Sequence, residues 1–409
     1  MVKPGYKQTE VGVIPEDWAD KKLGELGKVC MCKRIFAEQT SGTGDIPFFK
    51  IGTFGKEADA YISRELYEDF KRRFSYPRKG DILISAAGTL GRSVVFDGKE
   101  AYFQDSNIVW LDIDKEQLCN EYLYHYYKVI QWASSEGSTI ARLYNGIICD
   151  THIALPNTEE QKQIANVLLE IDQLVSLTEK QLTKKKAIKQ GTMQKLLTGK
   201  KRLPGFTGEW LNFNLMKHSK IKARIGWQGL KKSEYLDSGY ALLVTGTDFD
   251  DGRVQWDSCH YVTRDRYDQD RNIQIQNNDI LITKDGSLGK AALVQGLSKP
   301  ATLNSGIFVI RPLQSAYDPV FVYHILSSFV FKDFLDKLSA GSTIIHLYQK
   351  DVGKFEFLLP PTIEEQKAIA TVLSEMDADI AALEEKLTKY RQVKQGMMQQ
   401  LLTGKIRLV

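Results

Sequence analysis

Residues 159–203 return without a gap as residues 364–408. Glu159-Glu160-Gln161-Lys162 recurs as Glu364-Glu365-Gln366-Lys367, and Lys189-Gln190-Gly191 as Lys394-Gln395-Gly396. Over this stretch 26 of 45 positions are identical, more than shared helix composition produces. The shift of 205 is half of the 409-residue chain, so the chain reads as two tandem copies of one unit and the molecule as pseudo-twofold symmetric.

The rest of each unit repeats as islands. Trp18 and Leu23 match Trp210 and Leu215, and Phe49-Lys50-Ile51-Gly52-Thr53 matches Leu243-Val244-Thr245-Gly246-Thr247. Asp81-Ile82-Leu83-Ile84-Ser85 and Gly88-Thr89-Leu90-Gly91-Arg92 match Asp279-Ile280-Leu281-Ile282-Thr283 and Gly286-Ser287-Leu288-Gly289-Lys290. Gly137-Ser138-Thr139-Ile140 with Leu143-Tyr144 returns as Gly341-Ser342-Thr343-Ile344 with Leu347-Tyr348. One scaffold carrying two sets of unlike loops is suited to read two different ligands.

Each repeated tail reads as a long helix. Thr158 with Gln161, and Thr362 with Glu365, have capping-box spacing just after Pro156 and Pro361, and Gly199 and Gly404 stand where a left-handed C-terminal residue belongs. In the second copy Ile369, Leu373, Met376, Ile380, Leu383, Leu387, Tyr390, Met397 and Leu401 follow alternating steps of four and three, with Lys394 as the polar break. The first copy keeps this coiled-coil seam at Ile164, Leu168, Ile171, Val175 and Leu182 and weakens at Lys184-Lys185-Lys186. About 40 residues make a rod near 60 Å that serves as a spacer, and its seam is hidden most simply by antiparallel pairing with the other copy.

Between the rods, short β-type runs alternate with a few helices, an α+β pattern. Strands are expected at Ile82–Ser85, Val94–Phe96, Ile108–Ile113, Ile280–Thr283, Ala291–Val294 and Ile307–Ile310, and helices at Glu121–Trp132 and Val320–Leu338. Tyr122, Tyr126, Phe321 and Phe329 are expected in the core. The expected boundaries are 1–154 for the first α/β domain, 155–203 for the first spacer helix, 204–358 for the second domain and 359–409 for the second helix.

Net charge is only +4, but no acid lies between Glu209 and Glu234, where Lys222, Arg224, Lys231 and Lys232 crowd around Trp227 and Gln228. The first copy has Lys33, Arg34, Arg72 and Arg73. Basic clusters in two loop-bearing domains point to nucleic-acid backbone contacts, with Gln, Asn and Arg near them able to read base edges. The Gly-x-x-Gly loops follow a strand and end in Arg92 and Lys290, so their amides and cations suit a phosphate as well as a tight hairpin. Candidate contacts there are Ser85, Thr89, Ser138, Thr139 and Arg142 in the first copy, and Lys284, Ser287, Ser342, Thr343 and His346 in the second. The five cysteines lack metal-ligand spacing, so no metal site is expected. There is no phosphate-binding P-loop, no paired-His motif and no methyltransferase motif, so a non-catalytic chain is expected. No apolar run approaches the roughly 18 residues of a membrane span and no leader is visible, which places the chain in the cytoplasm, away from membranes.

These residues together resemble the specificity subunit of type I restriction-modification systems. The resemblance rests on Tyr6-Lys7-Gln8-Thr9-Glu10-Val11-Gly12-Val13-Ile14-Pro15 with Trp18, the Glu-Glu-Gln-Lys helix starts, the Leu-Leu-Thr-Gly-Lys ends and Arg202-Leu203-Pro204-Gly205-Phe206. It implies that each variable domain is a target-recognition domain reading one half of a bipartite, asymmetric site. Two modification subunits would dock on the spacer region and bring S-adenosylmethionine and adenine methylation. Restriction subunits would act as translocase and nuclease with ATP and Mg2+, and no cofactor would bind this chain itself. Two rivals remain: a coiled-coil adaptor that binds no DNA, and a divergent stand-alone nuclease or methyltransferase.

Overall fold

The computed structural model describes residues 2–132, 142–339 and 346–408. The chain divides into two compact units, residues 1–179 with 385–409 and residues 180–384. The cut falls inside both long helices, Thr158–Leu196 and Ile363–Leu401. Each unit is therefore an α+β domain plus one segment of either helix.

In the first unit a four-stranded antiparallel sheet runs in the order Gly27–Met31, Ile108–Ile113, Ile82–Ser85, Ser93–Val95. A smaller sheet places Ile46–Phe49 between Tyr61–Ile62 and a parallel Tyr102–Phe103. The central strands are apolar on both faces because both are covered. Phe48, Tyr102, Leu83 and Trp110 fill the space on the small-sheet side. On the other side Ile84, Val109 and Leu111 pack with Tyr122 and Tyr126 of the Asn120–Tyr127 helix, with Ile164 and Leu168, and with Met398 and Leu401.

The second unit repeats this plan with an extended sheet, ordered Ser219–Lys222, Ile307–Pro312, Ile280–Thr283, Ala291–Leu293, Arg253–Val254, Phe249–Asp250. The small sheet is His260–Val262, Ala241–Val244 and a parallel Ala301–Leu303. The helix expected over Val320–Leu338 is two helices, Pro319–Leu326 and Phe329–Ser339. They part at Ser327-Ser328, where the Ser328 hydroxyl accepts from the Val330 amide. That break turns Phe329 out to solvent, whereas Tyr122, Tyr126 and Phe321 are buried as expected. Among the described residues no helix is long and apolar enough to cross a membrane.

The helix starts correct one expectation. Thr362 caps its helix by accepting from the Glu365 amide at 3.3 Å. In the first copy the cap is Asn157, whose Oδ1 accepts from the Glu160 amide at 2.9 Å, and Thr158 is already helical. Asn157 is the residue aligned with Thr362, so the duplication keeps the capping position while the residue type changes. Gly199 and Gly404 both have positive φ, 70° and 65°, as a left-handed helix end requires.

The helix segments run antiparallel within each unit. In the first, Asp172 pairs with Lys394, and Glu179 with Arg391 at 2.6 Å. In the second, Lys185 meets Asp379 and Lys186 meets Glu384, both at 2.6 Å. The Lys184-Lys185-Lys186 run thus exchanges apolar seam for ion pairs. Ile164, Leu168, Ile171, Ile369, Leu373, Ile380 and Leu387 are buried, while Val175, Leu182, Met376 and Leu383 are half-buried. Buried Thr178 occupies the turn between Val175 and Leu182, with its hydroxyl folded back onto the Leu174 carbonyl at 2.7 Å.

Candidate nucleic-acid interface

The Gly-x-x-Gly loops are closed by hydroxyls. Buried Ser85 donates to the Thr89 carbonyl and accepts from the Arg92 amide at 2.9 Å. Thr283 does the same with the Ser287 carbonyl and the Lys290 amide. The terminal cations are bonded within their own unit: the half-buried Arg92 donates to the Phe54 carbonyl at 3.0 Å, and the exposed Lys290 donates from Nζ to the Phe249 carbonyl. These two cations pin a neighbouring segment of their own unit, a role the glycine pattern alone does not reveal.

Several other basic candidates are also engaged. Arg224, only 2% exposed, donates to the Leu303 carbonyl at 2.8 Å and to Thr302 Oγ1 at 3.1 Å, and Gln228 is 5% exposed. Both lie in the core, where strand-end carbonyls need donors, and not on the reading surface expected for them. Arg142 donates to Ser106 Oγ at 2.9 Å and to Asn107 Oδ1 at 3.3 Å. His346 is bonded to Asp285, and Lys284 lies 5.7 Å from the Phe308 ring centre. Arg72 and Arg73 share Asp69, Arg34 pairs with Asp105 at 2.9 Å, and Lys33 sits 5.1 Å over the Phe74 ring. All four of these side chains still reach solvent. Thr89 and Ser287 are exposed at their loop tips. Ser138, Thr139, Ser342 and Thr343 lie outside the described residues.

Lys222, Lys231 and Lys232 are different. They are exposed and make no ion pair among the described residues. Glu234, the first acid after them, accepts from Arg266 at 2.7 Å and from the Lys231 amide at 2.8 Å. Those bonds hold its carboxyl below the ordinary range, the Lys231 amide foremost and Arg266 next. The Lys231 charge also acts on Glu234, while Lys222 and Lys232 are placed to attract an outside anion.

The sequence reading missed a clamp present in both units. The Glu160 carboxylate, buried at the start of the first helix, accepts two bonds from Arg407, one of them at 2.8 Å, and one from Trp18 Nε1 at 3.1 Å. Arg407 also reaches Asp17 at 2.9 Å. Hydrogen bonds to Glu160 and then Asp17 raise the Arg407 pKa well above its ordinary value. In the second unit buried Glu365 accepts from Arg202 at 2.6 Å, with Trp210 beside the guanidinium. The next residue of the motif also acts twice. Gln161 accepts from the Cys119 amide and donates to the Gln117 and Pro156 carbonyls; Gln366 accepts from the Asp318 amide and donates to the Pro360 carbonyl. The repeated Glu-Glu-Gln-Lys therefore fastens a helix start to its domain. The identity between copies was the available signal, since a helix needs no such invariance at a buried charge.

A second repeated polar site lies along the seam. Asp172 binds both Lys394 and Lys128, near His125, and Asp377 binds Lys189, 4.0 Å from His324. Burial first, then Lys128, lowers the His125 pKa to about 4, and burial with Lys189 lowers that of His324 to about 3. Among the described residues no group of His, Cys, Asp and Glu is placed to hold a metal.

Comparison with known proteins places this arrangement. The chain is 55% identical, over 159 residues, to a Haemophilus influenzae protein named as a type I restriction enzyme specificity subunit; the match covers 39% of this chain and 41% of that protein. It is 24% identical to the type I restriction enzyme MjaVIII specificity subunit of Methanocaldococcus jannaschii over 97% of this chain and 94% of that one. A solved S subunit of a type I restriction-modification system from M. genitalium shares the fold, with a TM-score of 0.65 at 16% identity over 98% of this chain and 99% of that one. The family model described as type I restriction modification DNA specificity domain matches residues 15–189 and again 228–394, and with most of its length in that match the chain belongs to this family.

Proposed function

We propose that the chain is the non-catalytic sequence-reading subunit of a type I restriction-modification complex, and that each unit reads one half of a bipartite, asymmetric duplex site. The observation that carries this reading is a division of labour. Side chains repeated between the units, such as Glu160 and Glu365 or Ser85 and Thr283, turn inward as locks. In a segment that differs, Lys217, Lys220, Lys222, Lys231 and Lys232 are displayed. A shared frame with unlike faces supports two unlike half-sites, and so a site without a palindrome. The long helices offer surface for two copies of a modification subunit and for restriction subunits. In this proposal those partners hold S-adenosylmethionine, ATP and Mg2+, and the complex works in the cytoplasm.

The test is a genome-wide map of methylated adenine in a host with and without this gene. A two-part motif present only with the gene is expected. An unchanged map, in cells where the modification subunit is present and active, would sink the reading.

A further inference from the structure

We infer that Trp227 is the base-contacting wedge of the second unit, entering duplex DNA at a base step while Lys222, Lys231 and Lys232 hold the flanking phosphates. This rests on the DNA-reading function proposed above and names a side chain through which one unit discriminates sequence. Trp227 is 78% exposed, and hydrating so large an apolar surface is unfavourable unless something covers it in use.

The turn that carries it is built to hold it out. Gly226–Gln228 is one 3-10 turn, closed by the Gln228 amide on the Ile225 carbonyl at 2.9 Å and the Gly229 amide on the Gly226 carbonyl at 3.1 Å. Arg224 on one side and Gln228 on the other are sunk in the core, and Arg224 ties the turn to the Ala301–Leu303 strand. A wedge must be pre-organised in this way, since ordering it during binding would cost affinity. Lys222, Lys231 and Lys232, within five positions of it in the sequence, are exposed and make no ion pair among the described residues, which joins an aromatic face to displayed positive charge.

The first unit supplies an independent argument. After its own edge strand, Gly27–Met31, it displays Phe36 at 54% exposure, again following an Arg-Ile pair, Arg34-Ile35. Phe36 opens a 3-10 turn, the place Lys231 holds in the second unit, so each unit displays an aromatic ring after its edge strand but at a different place and of a different kind. Tyr144 and Tyr348, by contrast, are the same residue at the same 54% exposure in both units. A side chain common to both units cannot distinguish two half-sites, whereas one that differs can. An aromatic wedge works best at pyrimidine–purine steps, which unstack most easily.

The experiment uses the full chain assembled with its modification subunits and a duplex carrying the methylated motif found in the host. With 2-aminopurine placed in turn along the half-site assigned to this unit, fluorescence should rise at one step on binding. Trp227→Ala should abolish that rise and weaken binding to this duplex about 10- to 50-fold, with the slope of log affinity against log salt unchanged. Lys231→Ala should weaken binding to this and an unrelated duplex alike and reduce the slope by about one. Site affinity in Trp227→Ala equal to wild type overturns the wedge, and so does lost assembly with the modification subunits at undiminished DNA affinity, which would make Trp227 a protein-docking residue. If the wild-type complex itself shows no preference for the motif, it is the DNA-reading function that fails.

Discussion

Arg224 shows how a cation in a basic stretch can belong to the core. Its guanidinium satisfies the Leu303 carbonyl and Thr302 Oγ1, and burial lowers its pKa, with Arg266 adding to the effect. Arg224→Ala should lower the stability of its unit by roughly 2–4 kcal/mol, read as a shift in urea midpoint, because buried acceptors lose their donor. Arg92→Ala should cost about 1–2 kcal/mol by freeing the Phe54 carbonyl, and leave the salt dependence of DNA binding unchanged. A slope lowered by one would return Arg92 to the phosphates. The charge of these residues was legible in the sequence, but their direction was not. Leu303 lies 79 positions from Arg224 and Phe54 38 positions from Arg92, and pairings over such separations leave no periodicity to read.

The helices were the most legible elements because a seam repeats locally and a duplicated seam repeats twice. Their ends were less so, since Asn157 and Thr158 both make good caps and only the bond from the Glu160 amide decides between them. Glu160→Ala leaves Arg407 with Asp17 alone and frees Trp18 Nε1, whereas Arg407→Ala leaves a buried carboxylate without its cation and with Trp18 Nε1 as its remaining side-chain donor. The second should therefore be the worse, at about 3–5 kcal/mol against roughly 1–3. Equal losses in a denaturation series would mean that Glu160 finds water. His125 and His324 make stability fall with acid. Each is held neutral in the folded chain, with pKa values of about 4 and about 3, while an unfolded histidine takes up a proton near 6.5. Stability from each is thus complete above pH 6.5 and lost as pH falls toward the folded value. Between pH 6.5 and 5.5 the loss should be roughly 1 kcal/mol per histidine. A His125→Phe, His324→Phe double variant should flatten that limb of the urea midpoint against pH.

At the scale of the whole molecule, the duplication was plain in the sequence and the compact units were not. A repeat is found by matching residues, whereas the units end at Glu179 and Glu384, inside uninterrupted helices. Replacing residues 210–358 with the matching segment of a relative should alter one half of the methylated motif and spare the other. Arg202 and Glu365 both lie outside the exchanged segment, so their pair survives and the foreign domain should seat. A change in both halves of the motif, read by sequencing methylated DNA, would end the idea of independent readers.

The division of the chain also orders its synthesis. The second unit is contiguous, residues 180–384, while the first is completed by residues 385–409, among them Arg407, the partner of Glu160. At about 5–20 residues per second, roughly 10–40 s separate translation of Glu179 from that of Glu384. Throughout that interval the domain made first carries the Glu160 carboxylate without its Arg407 partner, answered by Trp18 Nε1 alone, and an apolar face around Ile164 and Leu168 not yet covered by Met398 and Leu401. The usual order of folding from the N-terminus is therefore inverted: the unit begun first is finished last, and the nascent first domain is the stretch most exposed to chaperones and proteases.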